Sequence, residues 1–570
     1  MVVMNTYSVT PEIPDDASIS LAAYPELTRR LLFNRGITGQ KEADVFLNPD
    51  YERDLSDPFL MLNMEKAVDR VLRAVKEDEK IVIYGDYDCD GIPGSVVLHD
   101  FFKKIGYKNF ENYIPHRHSE GYGLNMLAVE KFARQGVKLL ITVDCGITDC
   151  KEVARGNELG IDTIITDHHL VQENVPPAHA IIDPKQKEDS SPDPMLCGAG
   201  VAFKFVQALI ARGDFEIAEG WEKWLLDMAG LSTIADMVPL QKENRVIAFY
   251  GLKVLRKSPR PGMQKLLRSI KMNQAHISED DVGFMIAPRI NAASRMSDPR
   301  EAFRLLATDD AAVAGELASH LEKINNERKW TVAQMIKEIK KILKEREPKD
   351  VIVVGNPNWR VGILGIAANN IVEEYAKPVF VWGREGAEYI KGSCRSDGTV
   401  NVVDLMTSVS SDLFIDVGGH ELSGGFSISH EKIHLLENEI VAAYHKKKRE
   451  SVEKITLIDG KLDIDEVNWT IYREIEKFAP FGIGNAKPTF LFEGILVQKV
   501  NYFGKGKNHL RIDFHNSLGK IVSGISFFAD KTKFRRVSFA EGDKVDIVAV
   551  FDKSMFRNFP ELRLRIIDIL

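Results

Sequence analysis

Short, continuous apolar runs alternate with helical periodicities over the first third of the chain. Ile81-Val82-Ile83-Tyr84, Leu139-Leu140-Ile141-Thr142-Val143 and Thr163-Ile164-Ile165-Thr166 lack the alternation of a half-exposed strand. They therefore predict strands covered on both faces, as in a parallel sheet. Residues 64–79 predict a helix ahead of the first run, helices near 93–105 and 150–158 follow, and Ile181-Ile182-Asp183-Pro184 ends a further short strand. Such alternation predicts a doubly wound α/β domain. From 198 to 306 the pattern becomes mainly helical. Residues 310–347 contain no Pro and one Gly, and Leu317, Leu321, Ile324, Val332, Ile336, Ile339 and Leu343 recur at helical spacing before Pro348. A helix of that length spans roughly 50–60 Å. A new strand-led pattern starts at once at Val351-Ile352-Val353-Val354-Gly355, so the helix is read as a bridge to a second α/β unit rather than as a cover on one domain. From 455 onward, runs at 491–500, 509–514, 521–528 and 545–551 predict a small β-barrel. The start of the chain, interrupted by Pro11, Pro14, Pro25, Pro49 and Pro58, predicts an irregular segment with short helices. The expected division is 1–60, 61–309, 310–349, 350–454 and 455–570.

Composition adds few constraints. At 570 residues, 44% hydrophobic and 28% charged, the chain reads as a soluble multidomain protein. No run has the length of a transmembrane helix, and no signal peptide is visible at Met1–Thr6. Five scattered Cys without a Cys-x-x-Cys pair argue against a disulfide framework or structural zinc and point to the cytoplasm. The net charge of −8 hides an asymmetry: residues 499–570 hold 14 Lys+Arg against 8 Asp+Glu, leaving −14 on the remainder. A basic tail on an acidic body fits a polyanion-binding module, or simply a solvated basic face.

The candidate chemistry lies where the strands run out. The first run leads into Gly85-Asp86-Tyr87-Asp88-Cys89-Asp90-Gly91, the second into Asp144-Cys145-Gly146, the third into Asp167-His168-His169. In open α/β sheets ligands bind beyond the carboxyl ends of the strands, so these residues should share one crevice. Taken singly, each piece has a bland reading, since a D-x-D loop often caps a helix. Two adjacent His cannot both be core residues, because their side chains point in opposite directions. With Asp236 after Leu231–Ala235, the set is too rich in like charge to stand without a cation. Carboxylates and imidazole suit Mn²⁺, and carboxylates with water suit Mg²⁺.

These segments resemble the four motifs of the DHH phosphoesterase superfamily: 85–91, Thr142–Gly146, Asp167–His169 and Thr233-Ile234-Ala235-Asp236. Further segments resemble its RecJ branch. They include Pro115-His116-Arg117, Glu120–Asn125, Cys197–Ala202, Pro288–Ala293, Gly392–Ser396, Gly418-Gly419-His420 with Gly424-Gly425, and Pro480–Asn485. The resemblance spans nearly the whole chain. It implies a DHH domain, a linking helix, a DHHA1 domain and an OB-fold, in the order read from the pattern. It also implies a metal-dependent exonuclease of recombination and repair, degrading single-stranded DNA from 5′ ends with two divalent ions, Mn or Mg. The implied ligands are Asp88, Asp90, Asp144, His168 and Asp236. His169 would meet the scissile phosphate, Asp86, grouped with it as catalytic, would stand beside the ligands, His420 in the Gly-rich loop would face the same cleft as a third member of that group, and Arg117, Arg295, Ser393 and Arg395 would hold the strand and its 5′ phosphate. A single-strand-binding protein and a helicase are candidate partners. Other readings are a DHH-DHHA1 phosphodiesterase for oligoribonucleotides or cyclic dinucleotides, and a non-catalytic scaffold on the same fold.

Three positions depart from the family pattern. Pro93 replaces a small polar residue, Ser294 a Gly that would strain its loop if the Gly had positive φ, and Arg360 a His. In the barrel, aromatic and basic residues interleave, as in single-strand-binding OB-folds. Most of the aromatics are expected in the core. Phe556 and Phe559, in a loop-like stretch with Arg557, are expected to stack on bases in preference to Phe527 and Phe528, which sit in an apolar run.

Overall fold

A computed structural model describes residues 6–570 except 387, 450–454, 505, 530–533, 537 and 556–558. The chain forms two compact units, one from residues 56–238 and 250–449, the other from 6–55, 239–249 and 455–570.

The first unit opens on a parallel sheet of β1 (Ile81–Gly85), β2 (Phe110–Tyr113), β3 (Leu139–Val143), β4 (Asp162–Thr166) and β5 (Ala180–Ile182). Its order is β2-β1-β3-β4-β5. Every residue of β1 and β3 is buried, which explains their unbroken apolar runs. The sequence pattern misses β2 because this edge strand is only half-buried and reads Phe-Glu-Asn-Tyr. Since β2 and β3 flank β1 on opposite sides, the chain reverses direction across the sheet there. The crevice beyond β1 and β3 is the topological switch point where such sheets bind ligands.

Helices α1 (Gly91–Lys104), α2 (Gly198–Arg212), α3 (Leu226–Ala235) and α4 (Ala287–Met296) surround that crevice. Pro93 falls in the first turn of α1, where no intrahelical donor is required. Ser294 lies inside α4, is not among the residues with positive φ, and its hydroxyl donates to the Asn291 carbonyl at 3.2 Å. The strain considered for this position is therefore absent.

Helix α5 (Ala311–Glu345) is capped by Asp310, whose carboxylate accepts from the amides of Ala312 and Val313. Its first half packs on α4 and on the helices Pro261–Ser269 and Arg300–Ala307. In its second half, Val332, Met335, Ile339 and Leu343 share a core with Ile352, Val354, Leu364, Ile371, Val379 and Val381. One continuous apolar stripe thus serves two cores. The second sheet comprises β6 (Ile352–Gly355), β7 (Val379–Gly383), β8 (Ile390–Arg395), β9 (Asp416–His420) and β10 (Ser423–Ile428), in the order β9-β10-β8-β7-β6. Only β6 and β7 run parallel.

In the second unit, β11 (Phe490–Phe503), β12 (His509–His515), β13 (Ile521–Ser526), β14 (Lys544–Ser554) and β15 (Glu561–Ile569) close a barrel, because β14 pairs with both β15 and β11. Phe490, Phe492, Phe514, Phe534 and Phe551 fill it. The N-terminal segment is part of this core: Leu21, Leu31, Leu32 and Ile37 join the same cluster, and Thr6–Val9 pairs in parallel with Ile455–Ile458. Residues 239–249 join through Arg245, which donates to the carbonyls of Phe46, Phe478 and Ala479.

The expectation for Phe527 and Phe528 is overturned. They lie past the end of β13 and are 39% and 76% exposed, because the strand pairing stops at Ser526. Phe559 is 77% exposed, as expected. Phe556, with Lys505, Lys531, Lys533 and Arg557, lies outside the described residues.

Candidate metal centre

The loop after β1 is anchored from several sides. The Asp86 amide donates to the Val143 carbonyl at 3.1 Å, extending the β1–β3 pairing by one residue. Asp88 Oδ1 accepts from the amides of Asp90 (2.8 Å) and Gly91 (3.2 Å), so it caps the start of α1. Asp90 accepts from the amides of Gly198 (2.6 Å) and Ala199 (2.8 Å), so it caps α2. These amide contacts fix both carboxylates at the mouth of the crevice. Asn291 of α4 accepts from the Cys89 amide at 2.8 Å, and the Ser232 hydroxyl of α3 donates to the Cys89 carbonyl at 3.1 Å.

Asp144 follows β3 in the left-handed region, φ 62°. Its Oδ1 lies 3.1 Å from His168 Nε2, which is also 3.5 Å from Asp90 Oδ2 and 3.7 Å from Asp236 Oδ2. Burial pushes the His168 imidazole down, while the charge of Asp90 acts in the opposite sense. Three groups have ligand atoms within 4.8 Å of one another: Asp86, Asp88 and Asp144; Asp90, His168 and Asp236; and Asp144, His168 and His169. Burial, then neighbouring carboxylates, push the carboxyls of Asp86 and Asp144 up, and Asp236 rises to about 8 for the same reasons. Buried oxygens of Asp86 and Asp144 have no hydrogen-bond partner. This donor set fits divalent cations, which supply the charge that the protein withholds. Asp86, expected beside the ligands, has an oxygen placed among them.

Asp167 is fully buried, and its oxygens accept from the amides of His168, His169 and Ile147 and from His169 Nδ1 at 2.8 Å. It therefore organises the pair of histidines. Burial opposes charge on His169, but the hydrogen bond and charge of Asp167 outweigh it and raise the imidazole to about 9. Tyr122 adds a contact that the sequence did not single out by role: its hydroxyl donates to the Asp144 carbonyl at 3.1 Å and lies 3.1 Å from His169 Nδ1. Asn291 and Gly198 were likewise visible only as members of motifs.

The basic residues form a second cluster. Arg117 lies over the Tyr87 ring at 4.8 Å. Arg295 donates to the Gly362 carbonyl at 3.1 Å, and Arg395 to Ser393 Oγ at 3.1 Å. Burial, then the charges of Arg117, Arg328 and Arg395, lowers the Arg295 guanidinium to about 9, while Asp88 acts on it in the opposite sense. Gly365 lets Arg395 and Ser393 approach, since a Cβ there would stand 2.8 Å and 3.0 Å from them. His420 is exposed on the edge strand β9, paired with Ser423, which pairs with Arg395. It shares that row of the sheet, about 10 Å from Arg395 at two strand spacings, and no contact with the acidic cluster is seen among the described residues. Arg360 reaches Glu327 of α5 at 3.2 Å and Glu385 at 3.6 Å, so it ties the second sheet's loops to the bridging helix.

Comparison with known proteins gives a consistent picture. The chain matches the DHH family, N-terminal domain, over residues 80–233, the DHHA1 domain over 332–446 and the RecJ OB domain over 458–568. It is 33% identical over 531 residues to the single-stranded-DNA-specific exonuclease RecJ of Haemophilus influenzae, covering 90% of each. It is 35% identical over 502 residues to that of Bacillus subtilis, where it covers 87% of this chain and spans 62% of the relative's length. Among solved structures, RecJ of Thermus thermophilus in complex with Mn²⁺ superposes with a TM-score of 0.81 at 25% identity, covering 99% of this chain and 79% of that one. An exonuclease RecJ bound to manganese gives 0.59 at 32% identity, covering 68% and 95%. Among the described residues no helix is long and apolar enough to cross a membrane.

Proposed function

The chain belongs to the RecJ family of single-stranded-DNA-specific exonucleases, and from that premise we propose that it removes nucleotides from the 5′ end of single-stranded DNA at the crevice beyond β1, β3 and β4. Asp86, Asp88 and Asp144 would hold one divalent ion, Mn or Mg, and Asp90, His168 and Asp236 a second, with Asp144 beside both. Such ions supply Lewis acidity for the scissile phosphate and the attacking water. His169, charged and oriented by Asp167, would donate its remaining N–H to a phosphate oxygen as negative charge develops. Tyr122 would hold the ring at that angle.

The observation that carries the polarity is Arg295. Its guanidinium bonds to the Gly362 carbonyl at 3.1 Å and interacts electrostatically with Arg117 and Arg395 and, in the opposite sense, with Asp88 of the acidic cluster. Phosphate-seeking guanidinium groups therefore border the metal centre, where a strand end fits. Arg395→Ala should erase most of the preference for a 5′-phosphorylated over a 5′-hydroxyl strand. Losing a buried charged contact costs roughly 2–5 kcal/mol, so the expected loss is tens of fold or more. Cleavage of both substrates by both proteins tests this; an unchanged preference excludes the placement, and release of nucleotides from 3′ ends excludes the polarity.

The barrel would bind the rest of the strand. Phe503, His509, Phe527 and Phe528 form a chain of rings with centroids 5.3, 5.6 and 5.0 Å from His509, and Arg563 lies 5.9 Å from the Phe527 ring. Exposed rings beside cations are the stacking platform of single-strand-binding OB-folds. Phe528→Ala should weaken binding of a long strand about tenfold while the slope of affinity against salt stays the same, because no charge is lost. Equal affinity in a fluorescence-anisotropy titration would remove Phe528 from the platform. A helicase that exposes single strands and a single-strand-binding protein that coats them would supply the substrate. The free state of all five cysteines supports a reducing, cytoplasmic setting.

A further inference from the structure

The segment Glu120-Gly121-Tyr122-Gly123-Leu124-Asn125 ends the loop between β2 and the helix Met126–Arg134. That loop carries two residues of the proposed reaction. Arg117 lies over the ring of Tyr87, which belongs to the loop after β1. Tyr122 sits edge-on to His169, with ring centroids 5.6 Å apart, and its hydroxyl lies 3.1 Å from both the Asp144 carbonyl and His169 Nδ1. Local backbone preference does not hold Tyr122 there. Its neighbours Gly121 and Gly123 have φ of 86° and 81°, and glycine is the residue with the most conformational freedom. The placement comes from side chains that grip the loop. The Tyr84 hydroxyl donates to the Gly123 carbonyl at 2.8 Å, and Asp149 Oδ2 accepts from the Leu124 amide at 2.7 Å. Glu120 grips the other end. Its Oε2 accepts from the His116 amide at 2.7 Å, and its Oε1 accepts from Asn125 Nδ2 at 3.1 Å and from the Tyr113 hydroxyl. Its own amide donates to the His116 carbonyl at 2.9 Å. Glu120 thus fastens the residue next to Arg117 on one side and the end of the Tyr122 segment on the other.

We propose that Glu120 is a positioning residue for the reaction, a clamp that sets Arg117 for the strand end and Tyr122 on His169 at the same time. This rests on the roles given above to Arg117 and His169. A carboxylate suits the task because it is acceptor-only, with two oxygens and about four lone-pair sites. It meets three donors from three places, the His116 amide, the Tyr113 hydroxyl and the Asn125 side chain. It forms no ion pair among the described residues, so its charge strengthens these bonds and neutralises no cation. Glutamine has one acceptor oxygen and would turn N–H groups toward some of the same donors. Because one clamp serves two side chains, its loss should be felt twice. Displacing Tyr122 lowers the rate of the chemical step, and displacing Arg117 weakens recognition of the 5′ end.

Two double-mutant cycles test this, read by single-turnover cleavage of 5′-phosphoryl and 5′-hydroxyl single strands by the full chain. One pairs Glu120→Gln with Tyr122→Ala, the other pairs it with Arg117→Ala, and every variant is checked for folding by thermal melting. Glu120→Gln should lower the limiting rate on both strands about tenfold or more. It should also lose about tenfold of the 5′-phosphate advantage in the concentration for half-maximal rate. In the Tyr122→Ala background it should have little further effect on the limiting rate. In the Arg117→Ala background it should have little further effect on the 5′-phosphate advantage. A residue that only stabilises the fold adds its effect in full to both partners. Full additivity in either cycle, or wild-type rate and preference in Glu120→Gln, overturns the inference while the roles of Tyr122 and Arg117 stand. If Arg117→Ala keeps the wild-type preference or Tyr122→Ala the wild-type rate, the underlying reading has failed and the inference with it. Should Glu120→Gln not fold, Tyr113→Phe, which removes one donor to Glu120, takes its place in both cycles, and full additivity there overturns the inference.

Discussion

Asp144→Asn should abolish most hydrolysis of single-stranded DNA, lowering turnover by about 10³-fold or more, beyond the roughly 10–100-fold that losing a mere support of a ligand costs. Asparagine is the informative replacement because Asp144 has φ 62°, a conformation that Asn tolerates and most residues do not. The same change should have a second, opposite effect. In chelator, Asp144 is buried among Asp86, Asp88 and Asp90, and burial and their charges disfavour its ionised form. Removing that charge should stabilise the metal-free protein by about 1–3 kcal/mol. Adding Mn²⁺ should raise the melting temperature of the wild type steeply and that of the variant little, because binding to the folded state alone stabilises it. Thermal melts with and without Mn²⁺, beside a nuclease assay, read both effects. Wild-type turnover in the variant, or equal stabilisation of both proteins by Mn²⁺, would remove Asp144 from the ion-binding set.

Gly198→Ala should also be strongly damaging, although it removes no functional group. A Cβ on Gly198 would stand 2.6 Å from Asp144 Cβ and 2.9 Å from its Cγ. The Gly198 amide also holds Asp90 at 2.6 Å, so any shift of the α2 terminus moves two candidate ligands together. Displacements of about 1 Å at such a site cost on the order of 100-fold in rate. Helix propensity alone forecasts the reverse, a gain approaching 1 kcal/mol from replacing Gly by Ala. Gly200→Ala is the control, because its Cβ would meet only ordinary contacts at 3.6 Å and beyond. Weakened Mn²⁺ binding and lost activity in Gly198→Ala, with Gly200→Ala near wild type, is the expected pattern. Full activity in Gly198→Ala would mean that α2 does not set the position of Asp144.

Fold class was legible in the sequence because burial on both faces leaves a local mark. The runs before Asp86, Asp144 and Asp167 are buried almost throughout and each is followed directly by an acid, so strand ends and candidate ligands were visible together. Edge strand β2, half-buried with the polar pair Glu111 and Asn112 at its centre, left no such mark. The long stripe from Leu317 to Leu343 predicted one helix serving two regions, since a 35-residue helix of uniform periodicity has no internal stop. Phe527 and Phe528 misled for a related reason. They are apolar and follow a strand, but strand pairing ends one residue earlier and turns them outward.

The sequence by itself determined which residues could bind metal and phosphate, because charge, ligand type and position at the end of a buried strand are local properties. Only the tertiary structure decided how they combine. It joined residues 6–55 to the barrel rather than to the parallel sheet that they precede. It gave Asp167 the task of orienting His169, and it bound Asp88 and Asp90 to the amides at the starts of α1 and α2 as well as among the candidate ligands. Each depends on contacts between segments far apart in the chain. A side chain's chemical type is written in the sequence, but its protonation, its neighbours and the space allowed to it are set by what packs against it.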